Sequence, residues 1–176
     1  MAYERGHRQL RRRCEAVLAG LDLPRPFSVE ALCRNLSEQR GRPLHLHVLP
    51  PRLAAAGACG LWLATDTDDH IFFERRTTRT HQEHIVLHEA AHLLFDHGGL
   101  GDGPPDGPGA LLGDLDPRLV RRLFARTGYT TRQEREAETL ASLIRTTAMR
   151  RDGLGVSDGV LGNLEAALGV GEVDGR

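Results

Sequence analysis

HQEHIVLHEAAHLLFDH, residues 81–97, decides how the rest of this 176-residue chain is read. Ile85, Val86, Leu87, Ala90, Ala91, Leu93, Leu94 and Phe95 leave few polar positions. At about 3.6 residues per turn they wrap most of a helix in apolar surface, so the segment is expected to be a buried helix. Thr80-His81-Gln82-Glu83 fits a capping box at its start, and Gly98-Gly99 is a natural stop. Two histidines and a glutamate are costly in such a helix unless they share a partner. His88 and His92 lie one turn apart and only about 40° apart around the axis. Their imidazoles can therefore reach one tetrahedral cation at bond lengths of about 2.0–2.1 Å. Glu89 projects from the edge of that face, too offset to be a ligand but placed to take a proton from a water on the cation. With 9 His and 12 Glu in the chain, this pattern is expected roughly 0.03 times by chance.

A hydrolytic zinc site takes three protein ligands and keeps one position open. The segment Thr131-Arg132-Gln133-Glu134-Arg135-Glu136-Ala137-Glu138 offers three carboxylates on a second helix, which opens at Thr130 or Thr131 and runs to about Met149. Its apolar stripe, Ala137, Leu140, Ala141 and Ile144, has Glu134 on one edge and Glu136 on the other, so periodicity leaves both open as the third ligand. Side-chain size favours Glu134. It lies on the Ala137/Ala141 side, where small residues permit close approach to the Ala90-Ala91 helix. Glu138, one turn beyond Glu134, is suited to orienting a ligand histidine from behind. Glu134 could instead complete a capping box with Thr131, a role that Thr130 with Gln133 can also fill. His97 is read equally as a donor to substrate and as a cap of the helix end.

Outward from these two helices the chain reads as α+β, with helices packed on a small antiparallel sheet in a single domain. Residues 3–21 carry Leu10, Cys14, Val17, Leu18 and Leu21 at helical spacing, and Ser28 caps a second helix over Val29, Leu32 and Leu36. Residues 44–49 alternate apolar residues with His45 and His47, as in a half-buried strand whose histidines face solvent. Residues 59–65 and 70–75 form an antiparallel hairpin about the turn Asp66-Thr67-Asp68-Asp69. Three sections result within residues 1–176: N-terminal helices and strand over 1–57, hairpin and metal-site helices over 58–149, and a tail over 150–176. A glycine- and proline-rich surface loop is expected over 98–113, a helix from Asp116-Pro117, and a short last helix near 158–168.

The formal net charge is −1, which gives no electrostatic footprint for nucleic acid or an anionic membrane. No apolar run reaches the roughly 18 residues of a membrane span. The first 20 residues are charged at short intervals and lack the apolar stretch of a signal peptide. Three widely spaced cysteines, Cys14, Cys33 and Cys59, read as reduced thiols, and the expected location is cytoplasmic.

Together the two motifs resemble the ImmA/IrrE family of metallo-endopeptidases, whose members carry His-Glu-x-x-His in one helix and Glu-x-x-Ala-x-x-Phe-Ala in a later one. Here the second pattern is Glu134, Ala137, Leu140 and Ala141, with Leu140 where the family has Phe. The likeness spans residues 59–144. It implies a zincin-like fold with His88, His92 and Glu134 holding zinc, or manganese, and Glu89 as general base. It further implies regulated proteolysis of a helix-turn-helix repressor, with a role in transcription control under stress. A substrate could add as a strand at the edge of the 70–75 hairpin. Two other readings stand beside this one. The chain could bind a repressor or toxin–antitoxin partner without hydrolysis, the metal serving structure alone, although such a site has no need of Glu89. A small-molecule hydrolase would require a pocket too narrow for an extended peptide.

Overall fold

A computed structural model describes residues 2–55, 57–65, 67–97 and 129–153. The expected loop over 98–113, the helix from Asp116 and the last helix near 158–168 lie outside the described residues. Among those described, five helices and three strands follow in the order α1 (Ala2–Ala19), α2 (Val29–Arg40), β1 (Leu44–Val48), α3 (Pro51–Ala55), β2 (Gly60–Ala64), β3 (Asp69–Phe73), α4 (Arg79–Phe95) and α5 (Thr131–Arg151). None of these helices is long and apolar enough to cross a membrane. The architecture is α+β. α4 packs between α5 and the sheet, α1 lies along α5, and α2 contacts α4 and β1.

The sheet is mixed rather than antiparallel. Its order is β1-β3-β2, with β2 antiparallel and β1 parallel to β3. The reason lies in the connection. β1 ends at Val48 opposite Phe73, and the stretch through α3 carries the chain past β3's position to begin β2 at Gly60, opposite the same Phe73. The tight turn after β2 then returns β3 into the gap between them, necessarily parallel to β1. Because β3 is hydrogen-bonded on both sides, its residues offer no free edge. Among the described residues, the outer edge of the hairpin belongs to β2.

One face of the sheet, through Trp62 and Ile71, joins the main core with Leu87, Ala90 and Leu93 of α4 and Leu140 and Ile144 of α5. The other face, through Leu61, Leu63 and Phe72, is covered by Leu49 and by Leu53 of α3, a helix the sequence reading does not include. Asp69, expected in the turn, begins β3 and is buried. It accepts from Trp62 Nε1 at 3.2 Å and from Arg42 Nε at 3.0 Å, which satisfies the charge. His45 is exposed as expected, but His47 donates to or accepts from the buried His70 across β3 (Nε2···Nδ1 3.0 Å), and the His70 ring stacks on both.

Both helices that carry the motifs are capped by threonine. Thr78, not Thr80, caps α4: its hydroxyl accepts from the His81 backbone N–H at 3.3 Å, and Glu83 pairs with Arg79 instead of closing a box. α4 stops at Phe95, two residues before the expected end. Asp96 adopts the left-handed conformation (φ 52°), which a short polar side chain tolerates, and the His97 N–H then bonds back to the His92 carbonyl at 3.1 Å. α5 opens with the capping box of Thr130 and Gln133, leaving Glu134 free of that duty.

Candidate metal centre

Close helix packing creates the site. Ala90 and Ala91 on α4 and Ala137 and Ala141 on α5 are all buried, and their small side chains let the two backbones approach. That approach brings Glu134, near the start of α5, over His88 and His92. The two Nε2 atoms lie 3.1 Å apart. Glu134 Oε2 is 3.3 Å from His88 Nε2, and Glu134 Oε1 is 3.6 Å from His92 Nε2. Tetrahedral bonds of about 2.0–2.1 Å require ligand atoms about 3.3 Å apart. The three donors therefore have the spacing of a preformed site, and His88, His92 and Glu134 are the one group among the described residues that could hold a metal ion. Exposure is graded across it: the His92 side chain is wholly buried, that of His88 is 21% exposed and that of Glu134 is 45% exposed, so one side of the site faces solvent.

Glu89 enters from the sheet side. Gly60 is what admits it, because a Cβ on Gly60 would lie 2.6 Å from both Glu89 Oε1 and Ile85 Cγ2. The carboxylate takes a hydrogen bond from the Trp62 backbone, while Oε2 is buried with no partner among the described residues. Burial first, and the Glu134 charge second, push the Glu89 carboxyl up to about 8. A buried carboxyl oxygen with no partner, beside three converging metal donors, fits a site built to hold a cation and its water.

Comparison of the chain with family models, curated proteins and solved structures finds no match.

The side chains behind the donors are also ordered. His92 Nδ1 lies 3.0 Å from His97 Nδ1, and His97 Nε2 lies 2.9 Å from Glu136 Oε2. Glu136 is thus not a ligand. It is buried on the opposite edge of the stripe, where Arg13 Nη1 at 2.6 Å and Arg132 Nε at 3.2 Å donate to Oε1. Burial alone would raise its carboxyl, but the bonds from His97 and Arg132 and the charge of Arg13 hold it below the ordinary range. Glu138 sits 3.5 Å from His88 Nδ1 and 3.1 Å from His84 Nε2, behind the His88 ring as expected. Burial of His92, reinforced by the neighbouring His88 and His97, depresses its imidazole to about 3, so it stays neutral and able to ligate.

Sequence reasoning passes over Tyr129. Its ring stacks on His92, with centroids 3.6 Å apart and planes 14° from parallel, and burial together with the Glu89 and Glu134 charges pushes its phenol up. The only sequence signal is a lone aromatic immediately before the Thr130 cap. Tyr129, the three donors and Glu89 line a cavity of about 450 Å³ whose far wall is apolar, formed by Leu53, Ala58, Leu61 and Ile85.

Proposed function

We propose that this chain is a metal-dependent endopeptidase that hydrolyses a regulatory protein, with zinc as its ion and manganese as the alternative. One observation carries the reading: three donors at tetrahedral spacing stand beside a buried glutamate whose second oxygen has no partner. A divalent cation in this place supplies an acidified water, with a pKa lowered towards roughly 7, and a Lewis acid for a carbonyl oxygen. Glu89 takes the proton from the attacking water at Oε2 and delivers it to the departing amine. Without the ion the Glu89 carboxyl is raised to about 8, and a cation beside it would favour the carboxylate that the base role needs. The Tyr129 hydroxyl, kept protonated, donates to the oxygen on which negative charge develops.

The β2 edge is the docking line for the substrate, since among the described residues no strand pairs with it on that side and Gly60 and Leu61 border the cavity. An extended peptide added there as a strand takes main-chain hydrogen bonds from β2 and places an apolar side chain against Leu61 and Ile85. The zincin-like fold and a helix-turn-helix repressor as substrate rest on the resemblance to ImmA/IrrE peptidases, and the cytoplasmic location on the three widely spaced cysteines. The test is incubation of the zinc-loaded chain with any helix-turn-helix protein that a neighbouring gene encodes. Cleavage by the unaltered protein, and none by a Glu89→Gln variant with full metal content, is the expected result. Equal action on the partner by both would replace the enzyme with a binding module.

A further inference from the structure

We propose that Glu136 and His97 form a positioning relay that fixes the proton of His92 on Nδ1, so that its Nε2 is always bare and aimed at the cation. The inference rests on His92 being a ligand, and it assigns a reason for a buried carboxylate and a third histidine that the hydrolytic chemistry itself does not use.

Hydrogen-bond direction fixes each proton in turn. A carboxylate only accepts, whereas a neutral imidazole has one donor and one acceptor nitrogen. Glu136 Oε1 is taken by Arg13 and Arg132, and Oε2 faces His97 Nε2 at 2.9 Å. The proton in that contact must come from His97 Nε2. His97 Nδ1 is then the acceptor, and it lies 3.0 Å from His92 Nδ1. One of those two nitrogens must supply the proton, and only His92 Nδ1 remains to do so. The His92 proton is thereby spent on the inner side, and Nε2 offers a lone pair beside His88 Nε2 and Glu134. With one proton on each ring, this is the one direction in which every contact from Glu136 to His92 has a donor and an acceptor.

The relay is rigid because each member is fixed independently. His97 is held by its backbone N–H to the His92 carbonyl, by Gln133 Nε2 donating to its own carbonyl at 3.2 Å, and by its ring stacked on Phe95. Arg13 reaches Glu136 from α1 and lies over the same Phe95 ring, 5.0 Å from its centroid. Three helices therefore orient one imidazole. Among the described residues, the His88 Nδ1 side is met by Glu138, which His84 contacts in turn.

The decisive measurement is the tautomer of each histidine in the full chain stripped of metal, read by long-range proton–nitrogen correlation on histidine-labelled protein near neutral pH. His92 is expected to show a protonated Nδ1 and a bare Nε2, and His97 the reverse. A proton on His92 Nε2, or an averaged signal from both forms, overturns the relay. In Glu136→Gln the amide can donate as well as accept, so the direction is lost. His92 is then expected to show both tautomers, and zinc affinity by chelator competition to fall about 10- to 100-fold. Undiminished zinc affinity in that variant also overturns the relay. If the variant does not fold, the spectrum of the unaltered chain decides alone. If the unaltered chain shows the expected tautomers yet takes up no stoichiometric zinc, the metal reading fails while the relay stands.

Discussion

Replacing Glu89 by Gln in the metal-free protein is expected to abolish cleavage after reloading and, before reloading, to make the fold more stable at alkaline pH. Glu89 is 7% exposed and its carboxyl is raised from 4.5 to about 8. Between those values the folded chain holds a proton that the unfolded chain has lost, so stability falls as pH rises through the window. Several histidines act in the opposite sense at lower pH: His92, His47 and His70 are depressed from 6.5 by burial, and they add stability as pH rises towards 6.5. The remainder of that effect above pH 6.5 is common to both proteins and cancels between them. The Cys14 and Cys33 thiols, pushed up by burial to about 11 and about 12, act only above their ordinary value of 9.0. Among the described residues, Glu89 is therefore the shifted group whose titration separates the two proteins from pH 6.5 to 8. At 1.36 kcal/mol per unit, the unaltered chain loses about 2 kcal/mol relative to Glu89→Gln across that interval, or about 1 M in urea midpoint. Urea titrations of both proteins in chelator at pH 6.5 and pH 8 measure it. Zinc should shrink the difference, because a nearby dication favours the carboxylate. Parallel behaviour of the two metal-free proteins over this interval would refute the buried, proton-holding Glu89.

Two further substitutions probe the walls of the site. Gly60→Ala places a methyl group within 2.6 Å of Glu89 Oε1 and Ile85 Cγ2, so the strand or the helix must shift; stability should drop by about 1–3 kcal/mol and cleavage by about 100-fold with zinc content retained, as melting and turnover measurements would show. Tyr129→Phe keeps the stack on His92 but removes the phenolic donor; kcat should fall about 100-fold with KM and metal stoichiometry little changed, and an unaltered kcat would remove Tyr129 from the reaction.

The donor set was legible because two regular features coincide. Apolar residues fill the turns around His88 and His92, and the alanines on α4 and α5 make Glu134 the carboxylate with the shorter reach. Glu138 followed from the same helical spacing. What was not legible depends on partners remote in sequence. Glu136 looked like a rival ligand until its pairing with Arg13, 123 residues away, showed why it faces inward. Strand direction was equally hidden: a run such as residues 44–48 carries its period of two but not its neighbour, and the connection through α3 sets β1 parallel to β3. The start of α4 was misplaced because Thr78 and Thr80 are both competent caps, and only the pairing of Glu83 with Arg79 distinguishes them.

The account turns on a single divalent ion bound by side chains from α4 and α5. Equilibrium dialysis of the full chain against zinc, followed by elemental analysis, tests it most directly when Glu134→Gln and His92→Gln are carried alongside. One ion per unaltered chain, with loading sharply weakened in both variants, is the predicted result. An unaltered chain that emerges without zinc, or variants that load as fully as it does, would contradict it.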